Sequence, residues 1–104
     1  MDTQRKKGIL EICVLASLLH EPSYGYKIMT DVSPWVELSE STLYPLLKRL
    51  ESAACLHTYT REHNGRLRKY YLITAAGRAR ITEFLQEWDE MRQVYNFVQG
   101  EYAR

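Results

Sequence analysis

The chain has 104 residues, 45% of them apolar and 26% charged, with a formal charge of +1. That length holds one core rather than two, and that balance excludes a generally disordered chain. The small net charge hides a division: residues 1–80 carry 12 basic and 8 acidic side chains and residues 81–104 carry 2 and 5, a basic body with an acidic end.

The first predicted helix runs from Thr3 to Leu19, with Ile9, Leu10, Ile12, Cys13, Val14, Leu15, Leu18 and Leu19 placing apolar groups nearly all round it. Such a helix has to be covered on both sides, which in a chain this short calls for a second subunit. His20-Glu21-Pro22 ends it. Ser23 is then a suitable N-cap for a short second helix from Tyr24 to Val32, closed by Ser33-Pro34.

A third helix is predicted to begin at Ser41 and run to about Ala54. Leu43, Leu46, Leu47 and Leu50 form its buried stripe, and Thr42, Tyr44, Lys48 and Arg49 occupy the other faces. With Ser41 as cap, Pro45 is the fourth helical residue and forfeits only the first intrahelical bond, so the helix is expected to start no earlier.

After Leu56 the pattern alternates. Runs at 57–63 and 66–73 flank Asn64-Gly65, a strong two-residue hairpin signal, which pairs His63 with Arg66, Arg61 with Arg68 and Tyr59 with Tyr70. One face then carries Arg61, His63, Arg66 and Arg68, like charges that destabilise a ribbon unless an anion such as a phosphate backbone relieves them. Thr74 is read as the N-cap of a last helix. Its Ile81, Phe84, Trp88, Met91, Tyr95, Val98 and Tyr102 are separated by 3, 4, 3, 4, 3 and 4 residues, a heptad seam that wants a partner helix.

Three helices and a β-hairpin, followed by one long C-terminal helix, make a mostly α fold with the order of a winged helix-turn-helix. In that arrangement the third helix enters the major groove and the hairpin lies along a neighbouring groove. Ser41, Thr42 and Tyr44 are the candidates for base edges or phosphates, and Lys48 for a phosphate. Arg61, Arg66, Arg68 and Lys69 are the phosphate-binding wing, with only Glu62 as a nearby acid in sequence.

Several runs carry a resemblance. Arg5-Lys6-Lys7-Gly8, Tyr24-Gly25-Tyr26, Ser41-Thr42-Leu43-Tyr44-Pro45-Leu46-Leu47-Lys48-Arg49-Leu50-Glu51, Lys69-Tyr70-Tyr71 and Thr74 with Gly77 together resemble the PadR family along nearly the whole chain. The resemblance implies a dimeric winged-helix repressor, a DNA-binding domain at 1–74, a C-terminal dimerisation helix at 75–104, and Tyr24, Tyr26 and Lys27 as further DNA-binding positions. The single C-terminal helix is similar to the short-form branch. Ala54 departs from the glycine common there, so the third helix is expected to run on slightly.

Family members that bind flat aromatic drugs are similar in placing a tryptophan eleven residues after the glycine matched by Gly77, the position of Trp88 here. A planar aromatic ligand between two such rings is therefore an expected partner. Phe84, Met91, Cys13, Ala16 and Ser17 would complete the chamber, and Arg92 would meet an anionic ligand. The bland alternatives are a packed seam at Trp88 and an Arg92–Asp89 pair.

No cofactor, metal or catalytic set is expected. The histidines are isolated, no phosphate loop occurs, and Cys13 and Cys55 stand far apart without a CxxC. The apolar stretch after Lys7 carries Glu11 and has no small-residue cleavage site, which suggests a cytoplasmic protein and no membrane partner. The competing reading is a protein-interaction module docking another factor through its winged surface or its seam. The basic wing favours operator DNA, because docking surfaces expose apolar anchors.

Overall fold

A computed structural model describes residues 2–104. The Asp2 carboxylate accepts the Arg5 N–H at 2.8 Å and starts α1, Thr3–Ala16. This helix is one turn shorter than its apolar run. At Leu18 and Leu19 the N–H groups bond three residues back, tightening the end, and Leu18 remains buried in the turn that follows.

Ser23 does not cap the second helix. Ser23–Tyr24 is a two-residue strand, β1, pairing with Tyr71 and Tyr70, and α2 follows as Gly25–Val32 with Tyr24 as its N-cap residue. The local capping signal of serine has yielded to strand pairing. Its hydroxyl is buried without a hydrogen-bond partner among the described residues.

The third helix, α3, spans Glu40–Ser52 with Ser39 as N-cap residue. It begins slightly ahead of Ser41, because the Ser39 carbonyl accepts from Thr42 at 3.1 Å and Leu43 at 2.9 Å. Pro45 is thus the sixth helical residue, and the carbonyl left without its intrahelical donor is that of Ser41, a residue open to solvent. At the other end α3 does not run on. Ala54 adopts φ +60°, and Ala54 and Cys55 donate back to Glu51 and Leu50 at 3.0 and 2.9 Å, a Schellman closure made without glycine.

Strands β2, Leu56–His63, and β3, Arg66–Ile73, form the expected hairpin, and the register pairs His63 with Arg66, Arg61 with Arg68 and Tyr59 with Tyr70. Asn64 and Gly65 both take positive φ, as a tight hairpin turn of this kind requires. The antiparallel sheet has the order β1-β3-β2. Leu10, Val14 and Leu15 of α1, Ile28 and Val32 of α2, the four leucines of α3, and Leu56 and Tyr71 of the sheet make one core.

The last helix, α4, is Ala75–Tyr102. Thr74 starts it by accepting the Gly77 N–H at 3.1 Å, while its hydroxyl donates to the Ala54 carbonyl at 2.7 Å. One side chain therefore joins the end of α3 to the start of α4. A Cβ on Gly77 would stand 2.6 Å from the Cys55 carbonyl oxygen, so this turn is closed to any larger residue.

Farther along, Glu11 of α1 accepts from Arg49 of α3 twice at 3.0 Å and from Arg80 of α4 at 2.7 Å. The helix read as apolar all round thus carries a largely buried carboxylate that ties three helices together. From residue 85 onward every residue of α4 is exposed, and the chain extends 64 Å along its long axis.

Candidate nucleic-acid interface

The first turn of α3 carries the polar residues expected to reach DNA. Ser39 Oγ lies 3.1 Å from both Ser41 Oγ and Thr42 Oγ1, and Ser41 and Thr42 are exposed. Tyr44 leans the other way, toward α2. A Cβ placed on Gly25 would stand 2.5 Å from the Tyr44 hydroxyl oxygen, so the two helices touch where Gly25 has no side chain. Lys48 is exposed one turn beyond.

The wing relieves its own charge in part. Arg61 and Arg68 are cross-strand partners, yet Arg68 lies 3.9 Å over the ring of Tyr24, and Arg61 lies 5.9 and 6.0 Å from the ring centres of Tyr59 and Tyr70. Tyr59 and Tyr70 stack at 5.3 Å, and Tyr24 meets Tyr70 edge-on at 5.7 Å. The negative faces of this tyrosine ladder partly neutralise guanidinium groups that the pattern alone left to an external anion. Lys69 points to the opposite face, where it lies 3.8 Å from Glu51 of α3. Glu62 is therefore not the only acid that concerns the wing, because folding brings a second one to it.

Three sets of residues distant in sequence converge on one trough of about 700 Å³. Tyr24 and Tyr26 of the β1–α2 junction and Tyr44 of α3 form one wall, and the edge of β3 from Arg66 to Lys69, which the two-residue β1 leaves unpaired, forms the other. Tyr26 is 69% exposed there, although a tyrosine is large enough to be worth burying. Lys27 stands apart. Its amine donates to Asp31 at 2.8 Å, and that hydrogen bond and charge push its pKa up.

Ser41 and Thr42 line a second groove, of about 450 Å³, whose far wall is Lys6 and Lys7 of α1. Neither lysine has an ion-pair partner among the described residues. In the sequence this basic run belongs only to a resemblance. The charge was visible in it, but its position beside the start of α3 arises from packing between distant helices.

At the far side of the molecule α1 and α4 run antiparallel and leave a cleft of about 450 Å³, walled by Ile9 and Ile12 on α1 and by Phe84, Trp88 and Met91 on α4. Trp88 is 47% exposed, and its ring lies 6.0 Å from that of Phe84. Within one chain, Cys13, Ala16 and Ser17 do not line this cleft. Cys13, next to the cleft-lining Ile12, packs against the core instead. Ala16 and Ser17 lie at the level of Leu15, which packs near Gly77, eleven residues and at about 1.5 Å per residue well over 10 Å before Trp88. Arg92 is ion-paired with Asp89. Ile81 is half-buried against the core, while Met91, Tyr95, Val98 and Tyr102 are exposed, so the seam is unpartnered in the single chain.

Comparison with known proteins bears on these surfaces. The profile of the transcriptional regulator PadR-like family matches residues 14–83. Uncharacterized protein X of Lysinibacillus sphaericus is 32% identical over 100 residues, covering 90% of this chain and 92% of that protein. Transcriptional regulator Rv3488 of Mycobacterium tuberculosis is 43% identical over 54 residues, about half of each chain. Among solved structures, a PadR-like transcription factor from Bacteroides fragilis superposes with a TM-score of 0.82 at 34% identity, covering 92% of this chain and 95% of its own. The protein smu.1704 of Streptococcus mutans superposes with a TM-score of 0.79 at 39% identity, covering 90% of each.

Proposed function

The chain belongs to the PadR-like family of transcriptional regulators and is a DNA-binding regulator, and from that premise we propose that it represses transcription by binding a palindromic operator as a homodimer. The observation that carries the reading is the convergence of Tyr24, Tyr26 and Tyr44 with Arg66 and Arg68 along one trough. Ser41, Thr42 and Tyr44 supply hydrogen-bonding groups at the start of the helix that enters the major groove. Lys48, Arg61 and Arg66 provide phosphate contacts, joined by Lys6 and Lys7 beside Ser41. Lys27 and Lys69 contribute less, because Asp31 and Glu51 already hold them.

Residues 1–74 form the DNA-binding part and 75–104 the dimerisation helix. Its exposed face of Trp88, Met91, Tyr95, Val98 and Tyr102 packs on the same face of a second copy, giving the two-fold symmetry that a palindrome mirrors. The open apolar cleft at Ile9, Ile12, Phe84, Trp88 and Met91 supports a further role, release from the operator by a planar aromatic ligand. Its α1 wall would come from Ile9 and Ile12, with Cys13, Ala16 and Ser17 outside it.

A gel shift on the promoter region upstream of the protein's own gene, titrated with salt, tests the reading. Specific retardation that weakens as salt rises is expected, and no specific complex at low salt would overturn it. Tryptophan fluorescence titrated with planar aromatics tests the ligand. Quenching that disappears in Trp88→Ala supports it, and unchanged emission in the native protein removes it.

A further inference from the structure

We propose that Tyr24 and Gly25 are positioning residues that set the recognition helix and the wing in a common register, rather than points of contact with DNA. This rests on the operator-binding reading above. The dipeptide meets both DNA-facing elements. On the wing side, Tyr24 pairs with Tyr70 in the sheet, meets its ring edge-on at 5.7 Å, and lies 3.9 Å beneath the Arg68 guanidinium. On the helix side, the next residue has no Cβ, and the Tyr44 hydroxyl occupies the place where one would stand, 2.5 Å from it.

A guanidinium held over an aromatic face loses much of its rotamer freedom before DNA arrives. The position of Gly25 does the same for Tyr44, whose ring it seats against the start of α2. Tyr24 itself is only half-buried, but Arg68 lies over its ring and Tyr70 meets it in a T-shaped contact. Arg68 and Tyr44, on different elements, both line this trough, and this single dipeptide touches both. A change here is therefore expected to alter affinity through those two side chains and through nothing else.

Double-mutant cycles on the footprinted operator, read by fluorescence anisotropy, test this. Tyr24→Leu is expected to weaken operator binding about fivefold, Tyr24→Phe to leave it within about twofold, and Tyr24→Leu to have no further effect in an Arg68→Ala background. Gly25→Ala is expected to weaken binding about tenfold and to add nothing to Tyr44→Ala, which removes the hydroxyl and the ring carbons that the new methyl group would meet at 2.5 to 3.1 Å.

Effects that add in both cycles would overturn the proposal, since they would mean that Tyr24 and Gly25 act on DNA or on the fold independently. A measurement without DNA keeps it falsifiable if a variant folds poorly. The Arg68 side-chain protons should resonate upfield over the ring in the native protein and in Tyr24→Phe, and an unshifted Arg68 in the native protein would sink the idea. Failure of the native protein to bind any promoter fragment would instead count against the operator reading.

Discussion

Ala54 holds a left-handed conformation that costs a residue with a Cβ about 1 kcal/mol or more, and it does so because its surroundings leave no alternative. Its N–H donates to Glu51, its carbonyl accepts the Thr74 hydroxyl, and the following N–H closes on Leu50. Replacing it with glycine removes the strain while adding freedom to the unfolded chain. Ala54→Gly should stabilise the protein by about 0.5–1 kcal/mol in a urea melt, with the m-value unchanged. Gly77 is the reverse case. A methyl group there meets the Cys55 carbonyl oxygen at 2.6 Å and Ile73 Cγ1 at 2.7 Å, both held by the core, so Gly77→Ala should destabilise by about 2–3 kcal/mol in the same measurement.

At the scale of elements, the wing was the part most legible in the sequence. Alternation, the Asn64-Gly65 turn and an even spacing leave one register, because a slip of one residue would send every side chain to the other face. The start of α2 was misread because a serine before a helix is a local signal, whereas β1 exists only through pairing with β3, some 47 residues later. The like-charged pair of Arg61 and Arg68 was also read locally, without the tyrosine faces that approach from Tyr24, Tyr59 and Tyr70. Arg66 has no such ring and no acid beside it among the described contacts. Arg66→Ala is therefore expected to reduce the slope of log affinity against log salt by about 1 while leaving sequence preference intact, measured on operator and random duplexes. The ion-pair hub at Glu11 joins α1, α3 and α4. Glu11→Ala should cost about 1–2 kcal/mol by thermal melting, less than a fully buried pair because both arginines remain partly in water.

For the whole molecule, α4 is the element that the single chain leaves unfinished. It is 28 residues long, Gly77 is its one fully buried residue, and Tyr102 is 92% exposed. An apolar seam of this length in water is stabilised by a matching helix, and Val98→Glu places a charge within its C-terminal half. In sedimentation equilibrium the variant is expected to approach the mass of one chain, and operator affinity should fall with it. An unchanged dimer would show that the seam is not the interface.

The periodicities of 3.6 and 2 were enough to place the four helices, the hairpin register and the leucine core, because burial imposes them residue by residue along the chain. The motifs spanning Ser41–Glu51 and Thr74–Gly77 were enough to indicate the family. The trough itself was beyond such reasoning. It depends on Tyr44 reaching over Gly25 and on Arg68 lying across Tyr24, as the second groove depends on Lys6 and Lys7 arriving beside Ser41. Each is a meeting of residues about 19 to 44 positions apart, set by how helices and sheet pack rather than by any local pattern. For the same reason a strand of two residues escaped notice, since nothing in Ser23-Tyr24 signals a strand until β3 lies beside it.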